Sequence, residues 1–405
     1  MSKARKITFI VASALVAGGL ALSFGAFAAS GFNPDVFSTQ AKDWRQTTLS
    51  LDPESQAAHT RIVVREDADN VRVEPADGDA IEVAYWESEQ DQKTCAVTDE
   101  DGVLTVEASI GNPWLGHVGF VMTGTDYQDR ATVVKVPRSW PGDVEVTTRD
   151  GRISISDLEN VRTVTAASEN AGNVDVARLA NAGAILAQSG EGYVNLQSIR
   201  SAESIVVQTR GGDAMLADAS IRGAVELRTV HGNAHASTVR AGGFYACSTD
   251  GVLLLQFVDA PTVEAHGQRG PVEADYLSAP SIAISTESGD VRASDLIGSS
   301  IDLQSSHGSI QAIAVGEAGG FYIQAASKHG TVQAPDGDRT SGNNITARTD
   351  SGDVHLSFTP TSKRTWPDSQ TLAASSSESS ASNPPSFLEA PEAPKAPEAP
   401  AAPTL

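Results

Sequence analysis

Two cysteines, Cys95 and Cys247, are all that the 405 residues contain. A scaffold built on disulfides is thereby excluded, and hydrophobic burial must hold the fold together. The two lie in different parts of the chain and read as separate half-buried thiols, with pairing left open. Aromatic residues amount to only 5%, too few for a stacking platform of bases or sugars. Positive charge is also scarce: 29 Lys and Arg face 51 Asp and Glu, a formal net charge of −22. Such a surface repels phosphate backbones and anionic lipid, so nucleic acid is not an expected partner.

Room for helices is missing too, because a glycine recurs every nineteen to twenty-two residues from Gly151 through Gly172, Gly192, Gly212, Gly232, Gly251, Gly270, Gly289, Gly308 and Gly330 to Gly352. Periods of this size belong to repeat arrays. Two and four residues after each of the eleven glycines the side chain is apolar in all twenty-two cases, from Ile153/Ile155 to Val354/Leu356, while the positions between are polar in seventeen of twenty-two. Strict alternation marks a strand with one face buried and one in water. Seven residues after the glycine comes an apolar anchor such as Leu158, Leu179 or Ile199, and a second alternating pair follows, as in Ile205/Val207 and Ile282/Ile284.

Each repeat therefore holds two strands and no helix, and each strand needs a partner. The economical solution is one turn of β-chain per repeat, bonded to the turns above and below about 4.8 Å away. The expectation is an all-β fold, a parallel β-helix of ten or eleven coils over residues 142–358. Thr or Ser stands three residues before the glycine in nine of eleven repeats, Glu169 and Gly267 being the departures, which predicts a ladder of stacked hydroxyls. The glycines, and Asp150, His231, Asp250, His307 and His329 just before them, are expected at corners with positive φ. His307 and His329 would then stack on adjacent coils near enough to share a metal. Two ligands fall short of a zinc site, so no metal is assigned.

Before the repeats, Lys3, Arg5 and Lys6 precede an uncharged apolar run from Ile7 to Ala29. Residues 1–29 are expected to be a signal peptide, with Ala26-Phe27-Ala28 as cleavage site, or a membrane anchor through residues 7–29. Either way the body is exported. Residues 30–43 read as a stalk. From 44 to 141 short alternating runs such as Val71-Arg72-Val73-Glu74 and Val103-Leu104-Thr105-Val106 are separated by turn clusters, the pattern of an antiparallel β module capping the first coil. Residues 112–128, with Trp114, Phe120 and Tyr127, are either part of that cap or a binding loop. Residues 359–405 are rich in Pro, Ala, Ser and Glu and are expected to be a disordered spacer.

The order of a short β module, Val133-Val134-Lys135-Val136-Pro137, and recurring elements such as Thr286-Glu287-Ser288-Gly289-Asp290-Val291 and Thr349-Asp350-Ser351-Gly352-Asp353-Val354 resembles the candidate-adhesin β-helix family of bacterial envelope proteins, a domain of unknown function. The likeness covers roughly residues 60–358. It implies a right-handed helix and frequent membrane tethering, and it brings no catalytic residues to transfer.

The leading functional expectation is a non-enzymatic, adhesin-like rod in the cell envelope, with surface glycans or envelope proteins as partners. The rival is a carbohydrate-active enzyme, for which Asp175, Glu273, Asp290 and Asp353 are the outward acids on offer. They fall on scattered coils, so no catalytic or cofactor-binding residue is assigned and no cofactor is expected. A third reading is an accessory protein of envelope-stress signalling.

Overall fold

The computed structural model describes residues 43–51, 59–89, 92–110, 130–362 and 366–367. The segment at 1–29 expected to be a signal peptide or anchor, all but the last residue of the expected stalk, the loop at 112–128 and nearly all of the residues 359–405 expected to be a spacer lie outside the described residues. The chain divides into two units, Met1–Arg364 and Thr365–Leu405, and every described strand belongs to the first.

Seven strands precede the glycine repeats and two form the first of them: β1 (Arg45–Ser50), β2 (Arg61–Glu66), β3 (Val71–Pro75), β4 (Glu82–Glu87), β5 (Lys93–Glu100), β6 (Val103–Ile110) and β7 (Thr132–Val136), then β8 (Asp143–Thr148) and β9 (Ile153–Ser156). Sixteen more run from β10 (Thr163–Ser168) to β25 (Ile310–Val315), and the series ends with β26 (Tyr322–Ser327), β27 (Val332–Gln333), β28 (Asn344–Thr349) and β29 (Val354–Thr359). From β8 onward, even-numbered strands form one sheet and odd-numbered strands the other, each paired in parallel with the coils on either side. The fold is a parallel β-solenoid with two sheets of 15 and 14 strands facing each other.

The alternation seen in the sequence is the reason. The residues two and four after the glycine fill the space between the sheets, and Ile153, Val176, Leu255 and Ile310 are at most 1% exposed. Burying such side chains stabilises by about 1.5–3 kcal/mol each. The exceptions are Val332, 43% exposed, and the partly buried Ala334, which belong to the coil that ends both sheets of described strands.

The glycines stand at close stacking, and of the eleven only Gly352, φ 157°, has the positive φ expected. A Cβ on Gly232 would lie 2.0 Å from the carbonyl oxygen of Gly212, and one on Gly251 would lie 1.8 Å from that of Gly232. Backbones approach too nearly there for any side chain. The hydroxyls three residues earlier are clipped to this glycine column rather than to one another. Thr229 Oγ1 donates to Gly212 O at 3.1 Å and accepts from Gly232 N at 3.0 Å. Ser189, Thr209, Ser248 and Ser305 repeat both bonds.

Positive φ falls six residues after the glycine instead. Asp157, Arg178, Ser198, Asp218, Thr238, Phe257, Tyr276 and Asp295 have φ between 51° and 63° in eight successive coils. Each turns the next residue, the apolar anchor, into the core.

Both ends are interleaved. At the start, the coil of β2 and β3 lies between that of β6 and β7 and that of β8 and β9. These two coils carry no corner glycine and extend the stack beyond the eleven that do. Antiparallel strands cap this end: β4 pairs with β1 and β7, and β5 with β6. At the far end the chain runs to the outermost coil, β26 and β27, then returns so that β28 and β29 insert between it and the coil of β24 (Ser300–Ser305) and β25. Residues 335–343 make the return and are tied down by bonds from Asp338 N to Phe321 O, 2.9 Å, and from Ser341 Oγ to Gly320 O, 2.6 Å.

Candidate functional site

Strand registry places one outward side chain per coil in a straight row on the even-numbered sheet: Ala167, Gln188, Gln208, Arg228, Cys247, His266, Ser285, Gln304 and Arg348. Parallel in-register pairing forces this alignment, since equivalent positions of successive coils point the same way. Neighbours in the row touch. Gln188 Nε2 donates to Gln208 Oε1 at 2.9 Å, and His266 Nδ1 lies 2.7 Å from Ser285 Oγ. Tyr245, in the adjoining row, holds its ring centroid 5.2 Å from the Arg228 guanidinium and 5.6 Å from the His266 ring. Two shallow grooves run along this face and meet at Cys247 and Thr249. Repetition makes the face a long strip of donors and acceptors, and both grooves along it are open to solvent.

The outward acids of the enzyme reading sit in strands of the other sheet (Asp175, Glu273) or just before them (Asp290, Asp353) and already have partners. Asp175 accepts from Arg152 Nε at 2.8 Å. Glu273 and Asp290, on neighbouring coils, converge on one guanidinium, Arg292, at 3.4 and 2.8 Å. Asp353 accepts from the backbone and hydroxyl of Thr331, both at 2.8 Å, which holds its carboxyl below the usual range. An acid and a base facing each other across a substrate would need a free gap between them; here the guanidinium fills it.

His307 and His329 do not occupy adjacent coils, because the coil of Gly352 stands between theirs. Asp350 lies on that middle coil, and its carboxyl is held below the ordinary range first by the Lys328 ammonium, 2.7 Å away, and further by both imidazoles. Among the described residues no three His, Cys, Asp or Glu side chains are grouped to hold a metal. Both cysteines are free thiols.

One cluster was not singled out by sequence. Lys93, with a side chain 0% exposed, contacts Glu66 and Asp69 at the capped end. The signal for it was a lysine on the inward row of β5, in line with Cys95 and Val97.

With the two-sheeted stack and its glycine column established, comparison with family models decides the kinship: the model of Toastrack DUF4097 matches residues 59–243 and 222–383. The chain belongs to the Toastrack DUF4097 family. Among solved structures, this Toastrack chain is similar to a candidate adhesin from Parabacteroides merdae, at 11% identity and TM-score 0.32, covering 78% of this chain and 97% of the other. It is also similar to a candidate adhesin from Bacteroides fragilis, at 12% identity and TM-score 0.27, covering 79% and 98%. A candidate cell adhesion protein from Clostridium sporogenes gives 9% identity and TM-score 0.24, covering 78% and 100%. Likeness this remote carries no functional weight. A search of curated proteins finds no match.

Proposed function

We propose that this Toastrack chain is a non-enzymatic, adhesin-like rod, exported to the outer face of the cytoplasmic membrane or secreted, which binds extended envelope or surface glycans along its even-numbered sheet. The observation that carries this reading is the unbroken row from Gln188 to Arg348, with a hydrogen-bonding side chain on nearly every coil. Amides, a guanidinium and an imidazole at a regular spacing suit a polymer that presents equivalent hydroxyls at intervals, and Tyr245 adds one flat ring for a sugar face. The strongly acidic remainder of the surface disfavours polyanions, so neutral glycans are the preferred class. Export is supported by the basic and then apolar N-terminal segment.

The test is sedimentation of the full chain with purified cell-wall and surface glycans, beside a triple variant Gln208→Ala, Arg228→Ala, His266→Ala. Retention of wild type with a loss of tenfold or more in the variant, at unchanged melting temperature, supports the assignment. Equal retention of both, or none of either on any glycan, sinks it. Release of reducing or unsaturated ends during the same incubations would turn the assignment to the enzyme reading.

A further inference from the structure

Lys93 is the largest fully buried side chain among the described residues, which is unusual for an ammonium. It opens β5, the outermost strand of its sheet at the capped end. Its Nζ lies 3.1 Å from Glu66 Oε1 and touches Asp69 Oδ2. Glu66 closes β2 with a side chain 0% exposed, and its other oxygen accepts from the Thr132 hydroxyl at 2.8 Å. Asp69 sits in the turn between β2 and β3, with its side chain 22% exposed. Burial pushes the Glu66 carboxyl above its ordinary value despite the opposing charge of Lys93. Burial, with Glu66 second, pushes the nearby Cys95 thiol up to about 12. The arginine pairs along the coils differ in kind, their guanidinium side chains being 48–63% exposed.

A primary amine is therefore held against a carboxylate oxygen of Asp69 at a largely buried site, with a second carboxyl, Glu66, on the same nitrogen. We propose that Lys93 and Asp69 condense to an intramolecular amide, with Glu66 as the group that moves the proton. The ammonium of Lys93 gives a proton to Asp69, leaving a neutral amine and a neutral acid. The amine nitrogen attacks Asp69 Cγ and a carbon–nitrogen bond forms. Glu66 accepts a proton from that nitrogen and returns it to an Asp69 oxygen. The carbon–oxygen bond breaks and water leaves by the exposed flank of Asp69. Nothing is oxidised or reduced, Glu66 ends as it began, and no co-reactant enters. Condensation is unfavourable between free solutes in water. Here the reactants are already apposed, worth an effective concentration of about 10⁵–10⁸ M for well-oriented groups. The buried ammonium charge of Lys93 also vanishes, together with that of the partly exposed Asp69, which removes the desolvation penalty of the buried one.

The bond would tie the edge strand β5 to the turn of a coil that is itself threaded between two others. Load entering from the N-terminal side would reach this covalent link after β1 and β2 and before β3. None of this depends on what the outer row binds.

Tryptic mapping of the folded full chain tests it. The amide blocks cleavage after Lys93, so residues 66–72 and 73–130 are expected as one branched peptide, lighter than their sum by one water. Glu66→Gln is expected to yield residues 66–72, 73–93 and 94–130 as separate linear peptides. Recovering those three separately from wild-type protein that melts cooperatively overturns the proposal. A branched peptide that persists in Glu66→Gln overturns the role given to Glu66. The wild-type map decides on the bond itself even where the variant does not fold.

Discussion

Gly352 stacks directly on Gly308: a methyl group there would stand 2.3 Å from the Gly308 carbonyl oxygen, although Gly330 lies between them in sequence. Gly330 in turn stacks on Gly352. Among the described strands, β26 and β27 thus pair only with the last coil, β28 and β29. Deleting residues 344–362 should therefore strip two coils, not one. Hydrogen exchange is the measurement: amides of residues 322–333 should lose protection along with the deletion, while those of residues 281–305 keep theirs. Retained protection at 322–333 would contradict the interleaved order.

The glycine column itself should tolerate nothing larger. Gly232→Ala places a methyl 2.0 Å from backbone oxygen, which side-chain adjustment cannot relieve. A loss of about 3 kcal/mol or more is expected in urea unfolding. Gly78→Ala, with nothing within 4 Å, is the control and should change stability by less than about 0.5 kcal/mol.

Hydroxyl clips give a graded series. Thr229→Val keeps the shape but orphans Gly232 N and Gly212 O, and should cost about 1–3 kcal/mol. Ser168 occupies the same register position, displaced from its glycine by one extra turn residue, and its buried hydroxyl has no partner. Ser168→Ala should then be neutral or slightly stabilising. Gly267 is the true gap, paired between Ser248 and Thr286. A Cβ there meets Gly270 O at 3.1 Å and Thr286 Oγ1 at 3.2 Å, tight but adjustable. Gly267→Ser should restore the clip and raise stability by about 1 kcal/mol.

Acid should loosen the coil corners. Hydrogen bonds from Arg162 hold Asp143 below the ordinary carboxylate range, and those from Arg178 do the same for Asp157. A folded pKa below the unfolded one adds stability that is full above the unfolded value, about pH 4, and is lost as pH falls through the lowered value. Glu66, raised by burial, contributes with the opposite sign, losing its share as pH rises through its folded value. The corner pairs outnumber it, so the urea midpoint should fall from pH 5 to pH 2.5, and Asp157→Asn should flatten part of that fall. A midpoint that rises on acidification would show that Glu66 dominates.

Much of the stack was legible because a period of two inside a period of twenty has one solution. Ile153/Ile155 through Val354/Leu356 mark the inward face whatever their neighbours are. The order of coils was not legible, because Gly330 and Gly352 carry the same signal and nothing local records which one meets Gly308. The glycines were found for an incomplete reason: φ is a property of one residue, whereas the clash that demands glycine comes from the next coil. The coils of β2/β3 and β6/β7 went unmarked because Asp69-Asn70 and Arg130-Ala131 stand where a glycine would. The outer row from Gln188 to Arg348 has no pattern along the chain at all; only strand registry assembles it. Lys93 was visible as a charge on an apolar row, but its carboxyl partners come from another strand and turn.

The left-handed corner offers the last test, at Thr238. Its φ is 58°, yet it is β-branched, and branching makes this region costly where Asp or Asn adopts it readily. Asp157, Asp218 and Asp295 fill the same place in other coils, so the backbone there is set by Val239 and its equivalents turning inward, not by the residue that bends. Thr238→Asn should relieve the strain and raise stability by about 1 kcal/mol. Asp218→Val should impose it, at about 1–2 kcal/mol. If thermal unfolding shows Thr238→Asn to be the less stable protein, packing of the threonine methyl outweighs the backbone cost, and the corner is held by its side chains after all.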